Sequence, residues 1–307
     1  MIGGIDLGGT KIEARLFDEG LETLAVQRVP TPRGSFEAFM AALTGQIDWL
    51  IARAGDPALP VGLSVAGVID PETGETFTSN TASSGHSIGA ALRAHYGRAF
   101  PVANDCMAFT LSEAHGGAAE GAASAVGLIL GTGVGAGHVL DGALPPRHSG
   151  LAVEIGHVGM PARALEETGL PLLPCGCGKL GCMENYVSGT GLARIAQHLT
   201  GREMTALEIA ADPEMEPVLQ AWARLTAELL YTLQLTLAPE VIVLGGGVSQ
   251  MPRVAERLSA ALAPLSLGPF LKPTRIVTAR HGDSSGARGM AVLAQAGAPR
   301  TTDRETT

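Results

Sequence analysis

Three cysteines, Cys175, Cys177 and Cys182, fall within eight residues in the pattern C-x-C-x4-C. The N-terminus, MIGGIDLGGTK, has neither the basic nor the apolar region of a secretory leader, so a cytoplasmic chain is expected. In that compartment clustered thiols argue for metal rather than disulfides. Together with His157 they would make one imidazole and three thiolates, the closed tetrahedral set of a structural zinc. The spacing is not that of the common zinc fingers, and free buried thiols are the alternative. Two carboxylates stand out as well. Asp105 lies where an apolar run, Phe100–Ala103, gives way to a helical pattern, so it is either a general base at a helix N-terminus or the helix N-cap itself. Asp6 interrupts the apolar run Ile2–Leu7, where a carboxylate is costly without a partner: a salt bridge, or Mg²⁺ beside a phosphate. Cys106, next to Asp105, reads as a small buried residue rather than a nucleophile.

Three glycine-rich breaks follow buried runs: Gly8-Gly9-Thr10-Lys11, Gly131–Gly137 and Gly245–Gly247. Glycine lets backbone N–H groups close around phosphate oxygens. A plain tight turn explains any one such break; three breaks in a repeated pattern point to phosphate. Neither familiar phosphate motif fits. Gly3 and Gly8 have P-loop spacing, but Gly9 stands where lysine is required. Gly131, Gly133 and Ala136 match the dinucleotide fingerprint, yet a strand follows where a helix must open, which leaves a nicotinamide oxidoreductase a distant second.

These loops imply elements to carry them. Ile2–Leu7, the first break, Ile12–Phe17 and a turn at Asp18–Gly20 read strand, loop, strand, turn. Ala125–Leu130, Gly131-Thr132-Gly133, Val134–Leu140 and Asp141-Gly142 repeat that order. The uncharged run 122–140 is near the length of a membrane span, but its glycines make a buried strand entering a loop the better reading. Helical periodicity covers Ser35–Ala52, Ile88–Tyr96, Cys106–His115, Val218–Leu237 and Pro252–Leu262; Val61–Val65 and Val241–Leu244 are further buried strands. Strands alternating with helices in two similar halves predict two α/β lobes with a cleft between them. The 307 residues, 46% hydrophobic and 17% charged, suit two such cores, and aromatics, at 4%, are too few for a stacking surface. A net charge of −9 with no basic cluster disfavours a nucleic-acid partner.

A phosphate clip built from strand, loop and strand in each of two lobes is used by the sugar kinase, heat-shock ATPase and actin superfamily. Within it, this sequence resembles the ROK family (repressors, open reading frames and kinases) of bacterial sugar kinases. The resemblance rests on DLGGTK from Asp6, RVPTPRGSFEAF (28–39), NDCMAFTLSEA (104–114), GLILGTGVGAG (127–137), EIGHVGMP (154–161), CGCGKLGCMENYVSG (175–189) and ARHGDSSGARG (279–289). It runs over nearly the whole chain and is strongest toward the branch that acts on N-acetyl-D-glucosamine. Family repressors carry a helix-turn-helix domain ahead of DLGGT; the motif begins here at residue 6, so a kinase is expected.

The resemblance implies an α/β, two-lobed actin-like ATPase fold: a small lobe of residues 1–112 plus a helix at about 287–298, a large zinc-bearing lobe of 113–286, and a disordered tail of 299–307. It implies ATP-dependent phosphorylation of N-acetyl-D-glucosamine on its 6-hydroxyl, with Asp105 as base. Gly67, Asn80, Asn104, Asp105, Glu154, His157 and Glu184 would surround the sugar. Gly4, Ile5, Asp6, Leu7, Gly8, Gly9, Thr10 and Lys11 would meet the nucleotide from one lobe. Gly131, Thr132, Gly133, Val134, Gly135, Ala136, Gly137, His138, Gly245 and Gly246 would meet it from the other. Mg²⁺ would accompany ATP, and His157, Cys175, Cys177 and Cys182 would hold structural Zn²⁺. A homodimer or other homo-oligomer is expected, without nucleic acid or membrane. The segment Thr81–His86 departs from the apolar-proline pattern of that branch, which leaves glucose, fructose or N-acetylmannosamine as alternative acceptors. A catalytically silent sugar sensor is the alternative of another class.

Overall fold

Successive residues of a strand face opposite ways, and β1 (Ile2–Leu7) separates two environments by that rule. In the computed structural model, which describes residues 1–297 apart from 79, 266 and 269–271, Ile5 and Leu7 enter one apolar cluster and Ile2 another. β1 turns through the first glycine break into β2 (Lys11–Phe17), which pairs antiparallel with it and with the edge strand β3 (Thr23–Pro30). Ile12, Ala14 and Leu16 join Ile5 and Leu7 against Phe39, Leu43, Ile47 and Leu50 of α1 (Phe36–Ala54). Ser35 caps that helix by accepting the Ala38 N–H, and Gly55 ends it in the left-handed region at φ 67°. β4 (Val61–Val65), the short pair β5 (Val68–Ile69) and β6 (Thr76–Phe77), α2 (Ile88–Tyr96), β7 (Val102–Asn104) and α3 (Asp105–Ala114) follow. The sheet order is β3-β2-β1-β4-β7, with β1, β4 and β7 parallel.

The same opening recurs. β8 (Ser124–Leu130) and β9 (Val134–Leu140) form an antiparallel pair around the second glycine break, so the uncharged 122–140 run is this hairpin. No described helix is long and apolar enough to cross a membrane. Helices α4 (Ala162–Thr168), α5 (Glu184–Val187), α6 (Gly189–Thr200), α7 (Ala206–Ala211) and α8 (Glu216–Leu237) precede β10 (Val241–Gly245), and α9 (Val254–Leu262) and β11 (Arg275–Thr278) complete a sheet ordered β11-β10-β8-β9. Trp222 of α8 and Tyr186 of α5 are the largest buried side chains of the core around it. Pro217 lies inside the first turn of α8, where the missing N–H is no loss.

The last helix, α10 (Ser285–Gly297), belongs to the first unit. Two compact units result: Met1–His115 with Leu144–Ala152 and the chain from Asp283, and Gly116–Ala143 with Val153–Gly282. Leu144–Ala152, assigned from the sequence to the second lobe, falls with the first unit; the tail 299–307 lies outside the described residues. α10 approaches the first sheet through glycines that face each other across β1 and β4, Gly4 and Gly62. A Cβ on Gly4 would lie 1.8 Å from the Ala287 carbonyl oxygen, and one on Gly62 2.2 Å from that of Met290. Backbone cannot yield as a side-chain tip can. Gly4→Ala should therefore cost about 3 kcal/mol or more, whereas Gly45→Ala, in open space on the exposed side of α1, should gain about 1 kcal/mol. Urea unfolding of the two variants measures both signs.

Candidate functional site

The C-terminal ends of parallel strands are where open α/β sheets carry ligands, and in the first unit β1, β4 and β7 bring Asp6, Ser64 and Asn104-Asp105 to those ends. Asp6 and Ser64 are register partners, and Ser64 Oγ donates to Asp6 Oδ1 at 2.5 Å. Gly286, in the first turn of α10, leaves room for the Asp6 carboxylate: a Cβ there would sit 2.8 Å from Asp6 Cγ. The partial positive charge of a helix start suits that anion.

Asn104 is the N-cap of α3, its Oδ1 accepting the Cys106 N–H at 2.8 Å while its Nδ2 donates to the Gly67 carbonyl at 3.0 Å. Both ends of the amide are thus engaged. The N-cap role that competed for Asp105 falls to its neighbour. Asp105 Oδ1 accepts the same Cys106 N–H at 2.9 Å, and its Oδ2 has no partner among the described residues. Burial, and then the charge of Asp6, hold the Asp105 carboxyl above the usual carboxylate range. Two carboxylates close enough for the charge of Asp6 to act on Asp105 make a fitting place for a divalent cation.

The first glycine break closes by Gly8 N–H to Lys11 C=O at 3.0 Å. Gly9, Thr10, Arg33, Asn80, Thr81 and Ala82 line an open pocket of about 370 Å³ beside it. Asn80 is exposed, and its backbone and Cβ lie where a Cβ on Gly9 would come within 3.1 Å. Several sequence candidates are elsewhere. Ile5 and Leu7 are wholly buried core, and Gly4 lies under α10, so none of the three offers a surface to a nucleotide. The Lys11 ammonium turns to Glu13 at 3.3 Å. Glu13 is buried, and although burial alone would raise it, hydrogen bonds from Arg15 and Arg28 and the surrounding cations leave its carboxyl below the usual range.

In the second unit His157, Cys175, Cys177 and Cys182 converge, with all four ligand atoms within 4.8 Å of one another. Cys175 Sγ is 3.7 Å from His157 Nδ1, and Cys177 Sγ is 3.6 Å from Cys182 Sγ. A tetrahedral zinc with bonds of about 2.3 Å to sulfur and 2.0–2.1 Å to nitrogen has edges of about 3.6–3.8 Å, so the donor set fits that ion. Burial and the neighbouring sulfurs push the Cys182 thiol up to about 12, while the Lys179 backbone N–H draws the exposed Cys177 thiol down. Glu184 joins the cluster to the second glycine break: its Oε2 accepts the Val134 N–H at 3.0 Å, and its Oε1 lies 3.9 Å from Cys175 Sγ. Gly133 makes this possible, since a Cβ there would stand 2.5 Å from Oε2. Glu154 is exposed, just ahead of the short turn that carries His157.

Gly246, at φ 79°, lies over the end of β8, where a Cβ would meet the Leu130 carbonyl oxygen at 2.5 Å. The second and third glycine breaks are therefore neighbours, and Gly189 donates to the Gly131 carbonyl at 2.8 Å. Gly135, Ala136, Gly137 and His138 are ladder residues of β9 rather than loop. His138 is buried and bonded through Nε2 to Ser124 Oγ at 3.1 Å, at the opposite end of the hairpin from the glycines, which removes it from the nucleotide set. Sequence reasoning missed Ser64 and Arg33. Ser64 carried a signal, a lone hydroxyl in the apolar run VGLSV, whereas Arg33 sits in an irregular stretch that gives none.

The ROK family model matches residues 2–297. An N-acetyl-D-glucosamine kinase of Escherichia coli O7:K1 is 38% identical over 298 residues, covering 94% of this chain and 98% of the relative; one of Shigella flexneri is equally similar over the same shares. Among solved structures, the ROK hexokinase from Thermus thermophilus superposes with a TM-score of 0.83 at 32% identity, over 96% of this chain and 98% of that one. The ROK family glucokinase from Streptomyces griseus, in complex with glucose and AMPPNP, gives 0.76 at 26%, over 96% and 99%. The expected actin-like sugar-kinase α/β fold is thus the fold of this chain, and with matches that run almost end to end, the chain belongs to the ROK family.

Proposed function

We propose that the protein transfers the γ-phosphoryl group of MgATP to the 6-hydroxyl of N-acetyl-D-glucosamine, with Asp105 as the base. That it is an ATP-dependent sugar kinase follows from family membership and full-length likeness to kinases. The observation that carries the residue assignment is the state of Asp105: relieved of capping by Asn104, half-buried, and one oxygen without a partner among the described residues. Such a carboxylate can orient a sugar hydroxyl and accept its proton as the bond to phosphorus forms. Asp6, positioned by Ser64 and the start of α10, would hold Mg²⁺ or its waters. Gly8–Thr10 in the first unit and Gly131–Val134 with Gly245 and Gly246 in the second would take the nucleotide. Sugar hydroxyls would go to Gly67, Asn80, Asn104, Glu154, His157 and Glu184. His157, Cys175, Cys177 and Cys182 would hold zinc, which in a site closed by four protein ligands supplies structure rather than chemistry. With Nδ1 of His157 toward the sulfurs, Nε2 is the nitrogen left for a sugar.

The acceptor is read from the relatives' names. One observation favours a second acceptor. Thr81 and Ser83 are buried and bond each other through their hydroxyls at 2.8 Å, and His86 stacks on Phe36 at 4.1 Å, so this segment is fixed by its own contacts. A wall built differently admits glucose. An ADP-release assay against N-acetylglucosamine, N-acetylmannosamine, glucose and fructose should show kcat/KM about 100-fold higher for N-acetylglucosamine, within reach of pocket discrimination. Preference for an unacetylated hexose would overturn the acceptor; inactivity on all four would favour the sensor.

A further inference from the structure

The first glycine loop is strapped by residues to which the proposed reaction gives no part. Thr31 N–H donates to the Thr10 carbonyl at 3.0 Å, Thr31 Oγ1 donates to that of Gly8 at 2.6 Å, and Arg33 Nη2 donates to that of Gly9 at 3.0 Å. Arg33 is thereby held over the loop and lines the 370 Å³ pocket with Gly9, Thr10, Asn80, Thr81 and Ala82. It is the single charged residue in that lining, and it pairs with no carboxylate among the described residues. A guanidinium carries five N–H donors in a fixed fork, and here one contact anchors it on a carbonyl. The pocket that the guanidinium lines has the first glycine loop on one side and the Asn80 segment on the other. Its sole formal charge is positive, so the group that completes the pocket is an anion with paired oxygens rather than a neutral hydroxyl.

We propose that Arg33 is a phosphoryl-binding residue, taking the oxygens of the group in transfer and those of the sugar 6-phosphate product. This rests on the kinase reading. As the sugar O6–P bond forms and the bond from phosphorus to the ADP oxygen breaks, ADP leaves with the bonding electron pair and Asp105 takes the hydroxyl proton. The negative charge on the passing phosphoryl group stays with the oxygens that Arg33 would meet, and catalysis of this kind is mostly positioning and neutralisation of such charge.

Arg33→Gln is the informative change, because glutamine keeps side-chain N–H donors and loses the charge; Arg33→Met loses both. Arg33 is exposed, so both variants should fold, with melting temperatures near wild type. Calorimetric titration with N-acetylglucosamine and with N-acetylglucosamine 6-phosphate, without nucleotide, separates the possibilities. Both variants should bind the 6-phosphate at least about tenfold more weakly, as loss of a charge-assisted contact implies, and bind the unphosphorylated sugar within about twofold of wild type. In turnover, kcat should fall with KM for the sugar little changed. Equal weakening of both ligands would make Arg33 a sugar contact and overturn the proposal. Wild-type behaviour of Arg33→Gln beside a damaged Arg33→Met would reduce it to a strap, which also overturns it. Wild-type turnover tests the kinase reading separately: if another sugar is the better acceptor, the same titrations use that sugar and its 6-phosphate. A wild-type protein that phosphorylates no sugar removes both.

Discussion

Asp105→Asn should lower kcat by about 10³-fold or more while making the ligand-free protein more stable at neutral pH. The first half follows from removing the base, a role that contributes about 10²–10⁴-fold, and from losing the carboxylate that aligns the hydroxyl. Sugar affinity should stay within a few-fold, since asparagine keeps the size and the hydrogen-bonding oxygen. The second half follows from linkage. Burial and the charge of Asp6 raise the Asp105 carboxyl in the folded protein above its unfolded value of about 3.9. A group raised in this way favours folding below its unfolded pKa, and that contribution is lost as pH rises through the folded one. At pH 7 the ionised side chain is thus a burden, which the neutral amide lifts. Thermal unfolding from pH 3.5 to 8 should show the variant's advantage growing with pH and vanishing at the acid end. Turnover retained within tenfold would remove Asp105 from the base role, and a stability difference independent of pH would remove the cause given for it. In a sugar sensor the substitution would leave every ligand response as it was.

That experiment depends on a distinction that the sequence alone left open. Asn104 and Asp105 are both good cap residues, and only the backbone geometry assigns the cap to Asn104. The duplicated strand, glycine loop and strand could be read directly, because β1, β4, β8 and β10 are buried over most of their length and stand out as apolar runs. β3 could not. It is an edge strand with Leu24 and Val26 exposed, so no buried face imposes a period. α6 was hidden for a different reason. It opens with Gly189 and Gly191, poor helix formers, and Gly191 is required because a Cβ would lie 2.4 Å from the Tyr186 backbone. Within the site, the cluster of His157, Cys175, Cys177 and Cys182 was legible from residue type and spacing. The fates of Ile5, Leu7 and His138 were not, since a motif that names a loop does not say which neighbours are turned into the core.

Removing the zinc proposed for the Cys/His cluster should be the most damaging change in the second unit. The proposed ligands come from a short turn at His157 and the loop Cys175–Cys182, which has Leu172 and Leu180 exposed near it and little apolar burial of its own. A loop of this kind draws its order from its ligands, and zinc binding in small domains amounts to about 10–16 kcal/mol of folding free energy. Most of the second core, around Trp222, Leu229 and Ile242, lies apart from the cluster and would persist. The expected loss is therefore local, about 3–5 kcal/mol, or a fall of roughly 10 °C in Tm for a domain of this size. Its functional reach is wider because of Glu184. The carboxylate lies between Cys175 and the Val134 N–H, so a collapsed cluster also loosens the glycine loop that would hold the nucleotide. Cys175→Ser and Cys182→Ser should retain well under one equivalent of zinc, melt lower, and show KM raised for ATP as well as for the sugar. Cys106→Ser, buried outside the cluster, should keep about one equivalent. Restoring zinc to chelated wild type should recover both KM values together. If KM for ATP is unmoved while that for the sugar rises, Glu184 does not transmit the loss; if zinc-free protein keeps its Tm and both KM values, the cluster is three thiols and an imidazole without a structural metal.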